Sequence, residues 1–428
     1  MKRLLWVPVV LIVMALAAWW WQSHRSNTAS AAAEDPAIAA MLKDSSTIAK
    51  GRYLATAGDC TSCHTAQSGQ LYAGGRLLPT PFGNIPASNI TPDPDTGLGH
   101  WRFDDFWRAL HTGVGRDGEL LYPAFSYTSF TKITREDAIA IFAYLKSLPS
   151  IHEETKPLGL RFPYNVRAGL AAWRALYFKP GVYQADPAHP ESWNRGAYLV
   201  EGLGHCNECH APRGAWGGVE KGAQLSGGRI PGMDWYAPDL STQAHGGLQG
   251  WSKQDVVDLL KTGQSSKGVA FGPMADVVAN STQYLSDEDL QAIADYLQSL
   301  PARPEPIAEK TSFDSKPLVD QGNSIYVQRC ASCHGNDGQG VPGVYPPLDG
   351  NSSVLEPTGI NATRAVLLGG FAPVTSGNPR PYSMPPYAQQ LSDAEVAAVV
   401  TFIRRSWSNH APAVQERDVI KYRHTPMD

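Results

Sequence analysis

Three times in 428 residues the chain runs Cys-x-x-Cys-His: CTSCH at 60 to 64, CNECH at 206 to 210 and CASCH at 330 to 334. These motifs use all six cysteines, Cys60, Cys63, Cys206, Cys209, Cys330 and Cys333. No thiol is left over for a disulfide elsewhere. On a helix, residues i and i+3 share a face with i+4, so two thiols and an imidazole converge on one point. A zinc centre would need a second ligand pair, and a redox dithiol would need a thioredoxin-like βαβ setting. Neither surrounds these motifs. What remains is the attachment pattern of a c-type haem, with both thiols bonded to the porphyrin vinyl groups and the histidine below the iron. Three covalently bound c-type haems are expected on the six cysteines, with His64, His210 and His334 as the proximal iron ligands.

The motifs sit in a repeat. ITREDAIAIFAYLKSLPS (133–150), LSDEDLQAIADYLQSLPA (285–302) and LSDAEVAAVVTFIRRSWS (391–408) are one element in three copies. Each opens with a hydroxyl N-cap, Thr134, Ser286 or Ser392, followed three residues on by Asp137, Asp289 or Glu395, the spacing of a capping box. Apolar residues then recur at helical period, as in Ile141, Tyr144, Leu145 and Leu148, and Pro149 and Pro301 mark stops. Ahead of each motif lies a second shared element, GRYLATAGDC, GAYLVEGLGHC and GNSIYVQRC. Forty glycines and thirty-three prolines concentrate in the stretches between, which argues for loops rather than long sheets or bundles. A domain of about 100 residues with so much loop needs a large apolar centre to fold around, and a haem supplies it. The boundaries drawn from this are 35–150, 190–301 and 318–411. Residues 1–34 form a leader, 151–189 a Pro/aromatic connector, 302–317 a polar linker and 412–428 a C-terminal tail.

The sixth ligand decides what each iron does, since Met/His ligation closes it to substrates and suits electron transfer. Met274 in FGPMADVV and Met384 in YSMPPYA precede the terminal helix at comparable distance and are expected to be distal ligands, with Met233 a competitor to Met274. The first repeat lacks a methionine between His64 and Ser150, and Phe125 stands in the corresponding slot. Either another side chain approaches, His111 and His100 being nearest in sequence, or that iron is five-coordinate. Arg76, Arg213 and Arg229 are candidate partners for haem propionates, and YPPL at 345–348 is a candidate source of the carbonyl that orients His334.

Lys2 and Arg3 precede an apolar run from Leu4 to Trp21, which reads as a retained anchor or a cleaved signal peptide and places the body on the periplasmic side of the inner membrane. Thirty-six basic against forty acidic residues give a net charge of −4, which leaves no excess positive charge for nucleic acid. The chain has no dinucleotide fingerprint and no nucleophile elbow, so substrate chemistry belongs to another polypeptide.

The segments RYLATAGDCTSCHTA, PFGNIPASNITPDPDTGLGHW, FPYNVRAGLAAWRALYF, NRGAYLVEGLGHCNECHAPRGAWGG and LSDAEVAAVVTFIRRSW resemble the triheme cytochrome c subunit of bacterial membrane-bound alcohol, gluconate or sorbitol dehydrogenase complexes. The resemblance covers nearly everything after the leader. It implies an all-α fold of three tandem class I cytochrome c-like domains, each around a covalent haem. It also implies a non-catalytic role, taking electrons from a dehydrogenase subunit with a flavin, quinone or molybdenum cofactor and passing them to ubiquinone or a terminal oxidase. Better-known members have Met where this chain has Phe125, while similar cytochromes accompanying molybdenum-containing aldehyde dehydrogenases have Phe. Two other readings stand beside it: a peroxidase-like haem enzyme using an open first iron, and a stand-alone cytochrome feeding a terminal oxidase.

Overall fold

The computed structural model describes residues 33–241, 247–301 and 316–425. The apolar leader run and most of the 302–317 linker lie outside these residues. No helix among the described residues is long and apolar enough to cross a membrane.

In the first module, helix α1 (Ser45–Ala57) starts where the Asp44 carboxylate accepts the Thr47 N–H at 2.8 Å, and it ends at the CTSCH turn. A hairpin of β1 (Leu77–Thr80) and β2 (Gly83–Pro86) follows, then α2 (Phe103–Thr112) and the terminal helix α3 (Arg135–Ser147). The connector adds a third strand, β3 (Gly159–Leu160), to the edge of β2, and then forms α4 (Leu170–Tyr177). The second module repeats the plan with α5 (Glu191–Tyr198), the hairpin β4 (Ser226–Ile230) and β5 (Trp235–Asp239), and α6 (Lys253–Thr262). It continues with β6 (Gln264–Ser265), β7 (Gly268–Val269), α7 (Pro273–Asn280) and the terminal α8 (Asp287–Ser299). The third has α9 (Lys316–Arg329), α10 (Ile360–Leu368), the short pair β8 (Gly370–Phe371) and β9 (Ser383–Met384), and the terminal α11 (Asp393–Arg405). The expected C-terminal tail carries a helix of its own, α12 (Glu416–Arg423), whose Val419 and Tyr422 are buried in the third module's core.

Helices dominate, but the expected all-α architecture needs correcting. The glycine-rich middles fold back as hairpins, helped by residues such as Gly232 (φ 78°), which takes the left-handed conformation in the turn between β4 and β5.

The three terminal helices are thirteen residues each, and Thr134, Ser286 and Ser392 accept the N–H three residues on, at 3.2, 3.2 and 3.3 Å. Only Ser392 closes the full capping box, its own N–H reaching Glu395 at 2.8 Å. In the first two modules a tyrosine hydroxyl from the other module has entered the box. Tyr198 Oη accepts the Thr134 N–H at 3.3 Å and donates to Asp137 at 2.6 Å. Reciprocally, Tyr53 Oη accepts the Ser286 N–H at 3.1 Å and donates to Asp289 at 2.6 Å. Asp137 is also paired with Lys50 and Asp289 with Arg195. Modules one and two therefore share one apolar core through a reciprocal polar seam, whereas the third has a core of its own.

In each module the first helix crosses the terminal one at a glycine: Gly51 on Ala140, Gly196 on Ala292 and Gly322 on Ala398. GAYLVEGLGHC has one residue more between its glycine and cysteine than GRYLATAGDC. The surplus is absorbed as a π-helical stretch, Leu199–Leu203, the usual outcome of a single insertion into a packed helix.

Candidate haem-binding sites

The motif histidines are held alike. His64 Nδ1 lies 2.7 Å from the Ser88 carbonyl, His210 Nδ1 2.7 Å from that of Pro238, and His334 Nδ1 3.0 Å from that of Pro346. A carbonyl can only accept, so Nδ1 carries the proton and Nε2 keeps its lone pair for a metal. Burial lowers the pKa of all three, against the opposing carbonyl hydrogen bond, which favours the neutral, ligating imidazole. The YPPL segment supplies the third carbonyl as expected. Ser88 and Pro238 escaped the sequence reading, although a signal exists. Each is followed by an Asx turn, Asn89 accepting the Thr91 N–H at 2.9 Å and Asp239 the Ser241 N–H at 2.6 Å, which fixes the direction of the preceding carbonyl.

The cysteines are unpaired with one another. Burial pushes the thiols of Cys60 and Cys209 up to about 12 and those of Cys63, Cys206 and Cys330 to about 11.

In the second module Cys206, Cys209 and His210 border a cleft of about 1720 Å³, mouth included, and Met274 at the start of α7 lines it too. Its lining is predominantly apolar, with Trp235 and Phe271 among the aromatic residues, while Met233 is not part of it. Neighbouring modules complete the rim: Ala57 and Asp59 from the first, Asn351 and Asn361 from the third. Apolar walls, two thiols, an imidazole with Nε2 left free and a thioether lining one cleft fit a c-type haem.

In the third module Met384, on β9, packs against the same apolar cluster as Cys330 and Leu348. In the first, Phe125 lies against Phe130, ring centroids 5.5 Å apart, and Phe130 meets the edge of His205 from the second module. His111 has Nδ1 3.0 Å from the Thr131 carbonyl and its ring stacked on Trp107. His100 is exposed. Of the three arginines, Arg76 donates to the Ser62 carbonyl, Arg213 pairs with Glu208 and Arg229 with Asp234. Arg213 also leaves Nε buried without a partner.

Asp59 was not singled out from the sequence. It adopts φ 48° just before Cys60, accepts from Ser62 Oγ at 2.5 Å and borders the second module's cleft. Burial, with a smaller push from the Asp276 charge and opposed by the Ser62 hydrogen bond and Arg76, raises its carboxyl from 3.8 to about 7. The folded protein therefore holds a proton the unfolded chain gives up, and stability falls as pH climbs from about 4 towards 7. Asp59→Asn keeps the acceptor for Ser62 and removes the ionisation. It should match the parent in thermal unfolding at pH 4 and melt several degrees higher at pH 8. Equal melting at pH 8 would show that the carboxyl ionises without cost.

Three repeats, each with a carbonyl-held histidine beside two buried thiols and a glycine-tight crossing of first and last helix, define a modular c-type cytochrome. The chain belongs to the cytochrome c family, whose profile matches residues 48–149, 194–301 and 319–407. It is 40% identical over 402 residues to the cytochrome c subunit of a quinone alcohol dehydrogenase from Gluconobacter oxydans, covering 89% of this chain and 83% of that one. It is 38% identical to the cytochrome c subunit of gluconate 2-dehydrogenase from Pantoea cypripedii, covering 90% and 92%. The cytochrome subunit of fructose dehydrogenase from Gluconobacter japonicus is 34% identical, covering 88% and 82%.

Proposed function

We propose that this chain is the electron-transfer subunit of a dehydrogenase complex on the periplasmic side of the inner membrane. It takes electrons from a separate catalytic subunit with a flavin, quinone or molybdenum cofactor, and delivers them through three covalent haems to ubiquinone or a terminal oxidase. Cys60 and Cys63, Cys206 and Cys209, and Cys330 and Cys333 would hold the porphyrins. His64, His210 and His334 would be the proximal ligands, and Met274 and Met384 the distal ones. A haem so ligated supplies a one-electron couple closed to substrate. The Ser88, Pro238 and Pro346 carbonyls fix the imidazole planes, and the apolar walls exclude water, which tunes the potential.

The observation that carries this reading is the second module's cleft, which brings Cys206, Cys209, His210 and Met274 together and is rimmed by residues of both neighbours. Such a cleft suits a relay rather than a substrate pocket. In the purified complex, substrate should reduce the haems within the catalytic turnover time, and the isolated subunit with the same substrate should stay oxidised. Reduction of the isolated subunit by substrate would overturn the reading.

Phe125, which cannot bind iron, favours a second reading for the first module alone, in which an open iron reacts with peroxide. A low-spin, peroxide-inert spectrum for all haems would remove it.

A further inference from the structure

Helix α4 of the connector has an unusual outward face. Leu170, Trp173, Arg174 and Tyr177 turn inward and are half-buried, while Ala171, Ala172, Ala175 and Leu176 face out, Leu176 being 76% exposed. No polar side chain faces outward. Its one charged residue, Arg174, turns inward, so the apolar outward face is left to pack against a partner or lipid. The apolar surface extends beyond it. Trp173 Nε1 donates to the carbonyl of Trp216, itself 63% exposed, and Gly217 abuts Phe82, whose ring lies 4.4 Å from that of Tyr164, close in sequence to Phe162 at 81% exposure.

The same segment is one-sidedly basic. Residues 155–185 hold Lys156, Arg161, Arg167, Arg174 and Lys179 and no Asp or Glu, in a chain with more acids than bases. Arg161, Arg167 and Arg174 donate to the carbonyls of Pro81, Leu120 and Thr112, which pins them without neutralising them. None of the five pairs with a carboxylate among the described residues. Exposed Phe, Trp and Leu ringed by unneutralised basic side chains match the headgroup boundary of an anionic bilayer.

The position suits the leader. Glu34 accepts the Phe103 N–H at 2.8 Å, at the start of α2, and Arg174 holds Thr112 at its end. The two ends of that helix are about 15 Å apart. The eleven residues between Trp21 and Ala33 reach at most about 40 Å, enough to bring an anchored leader and this face to one surface.

We propose that α4 and the preceding 161–169 segment, with Trp216, form a docking face for anionic phospholipid. This rests on the reading of the chain as a membrane-side subunit and assigns its membrane contact. The test is a spin label at Leu176→Cys in the full haem-loaded chain, reconstituted in phosphatidylglycerol/phosphatidylethanolamine vesicles, with Val327→Cys in the third module as the exposed reference. The expected result is a several-fold greater ratio of oxygen to aqueous nickel-chelate collisions at 176 than at 327, shrinking when phosphatidylcholine replaces the anionic lipid. Equal chelate access at both positions would overturn it. So would shielding that appears only when the catalytic subunit is added, since the face would then belong to a protein partner. Haem reduction by the catalytic subunit, measured on the same labelled chain in detergent, reads the electron-transfer role separately.

Discussion

Gly322→Val should abolish the third module. A Cβ at this position would stand 2.1 Å from the Ala398 carbonyl oxygen and 2.7 Å from both the Ala398 carbonyl carbon and Phe402 Cβ. The obstructing atoms are largely backbone, and they belong to a helix whose Val396, Val399 and Val400 are fully buried, so no rotamer change relieves the clash. Ordinary overpacking costs about 1–3 kcal/mol. Here α9 must lift from α11 along its length, and the loss should pass the roughly 4–5 kcal/mol that marks exceptional substitutions. Because this module has its own core, separate from the one the first two share, the damage should centre on the third module. The purified variant should show one haem fewer per chain than the parent by pyridine haemochrome assay and lose one thermal transition. Gly169→Ala is the control: it has open space around it and should change little. An unchanged haem count and melting profile for Gly322→Val would mean the two helices do not cross at backbone contact.

What could be read from the sequence was what is local. The motif histidines, the thiols and the hydroxyl caps each depend on residues three or four apart, so spacing alone placed them. The expectation that Met274 shares a cleft with His210 rested on a different signal, the repeat, which supplied a ruler for its position. The features that were not legible join distant positions. Tyr53 meets Asp289 across 236 residues and Tyr198 meets Asp137 across 61, and nothing in GRYL or GAYL distinguishes a tyrosine that enters another helix's cap from one that packs in its own module. The hairpins were missed because glycine-rich stretches carry little alternation, the period that betrays a strand. The Asp59 carboxyl is beyond pattern altogether, since its ionisation is set by burial between modules rather than by its neighbours in sequence.

Met274→His should lower one of the reduction potentials by a few tenths of a volt, within the roughly 0.8 V that axial ligands span, because a thioether stabilises the reduced iron more than an imidazole does. Met274 borders the same cleft as His210, Cys206 and Cys209, so an imidazole at position 274 would open into that cleft. The oxidised variant should lose one share of its sulfur-to-iron charge-transfer absorption, and spectroelectrochemical titration should show a single displaced couple. Met233→Ala, outside the cleft, should leave every couple in place. The opposite pattern, with Met233→Ala displacing a couple and Met274→His silent, would reassign the ligand and with it the course of the distal loop. The consequence for flow follows from position. For a one-electron couple each 59 mV is a factor of ten in equilibrium, so a drop of about 0.2 V disfavours placing an electron on the second haem by more than a thousandfold. Since that cleft is lined by Ala57 and Asp59 of the first module and by Asn351 and Asn361 of the third, electrons passing between those modules by way of the second haem would then have to cross this barrier. Turnover of the whole complex with its natural acceptor should fall sharply, while reduction of whichever haem receives the first electron keeps its parent rate.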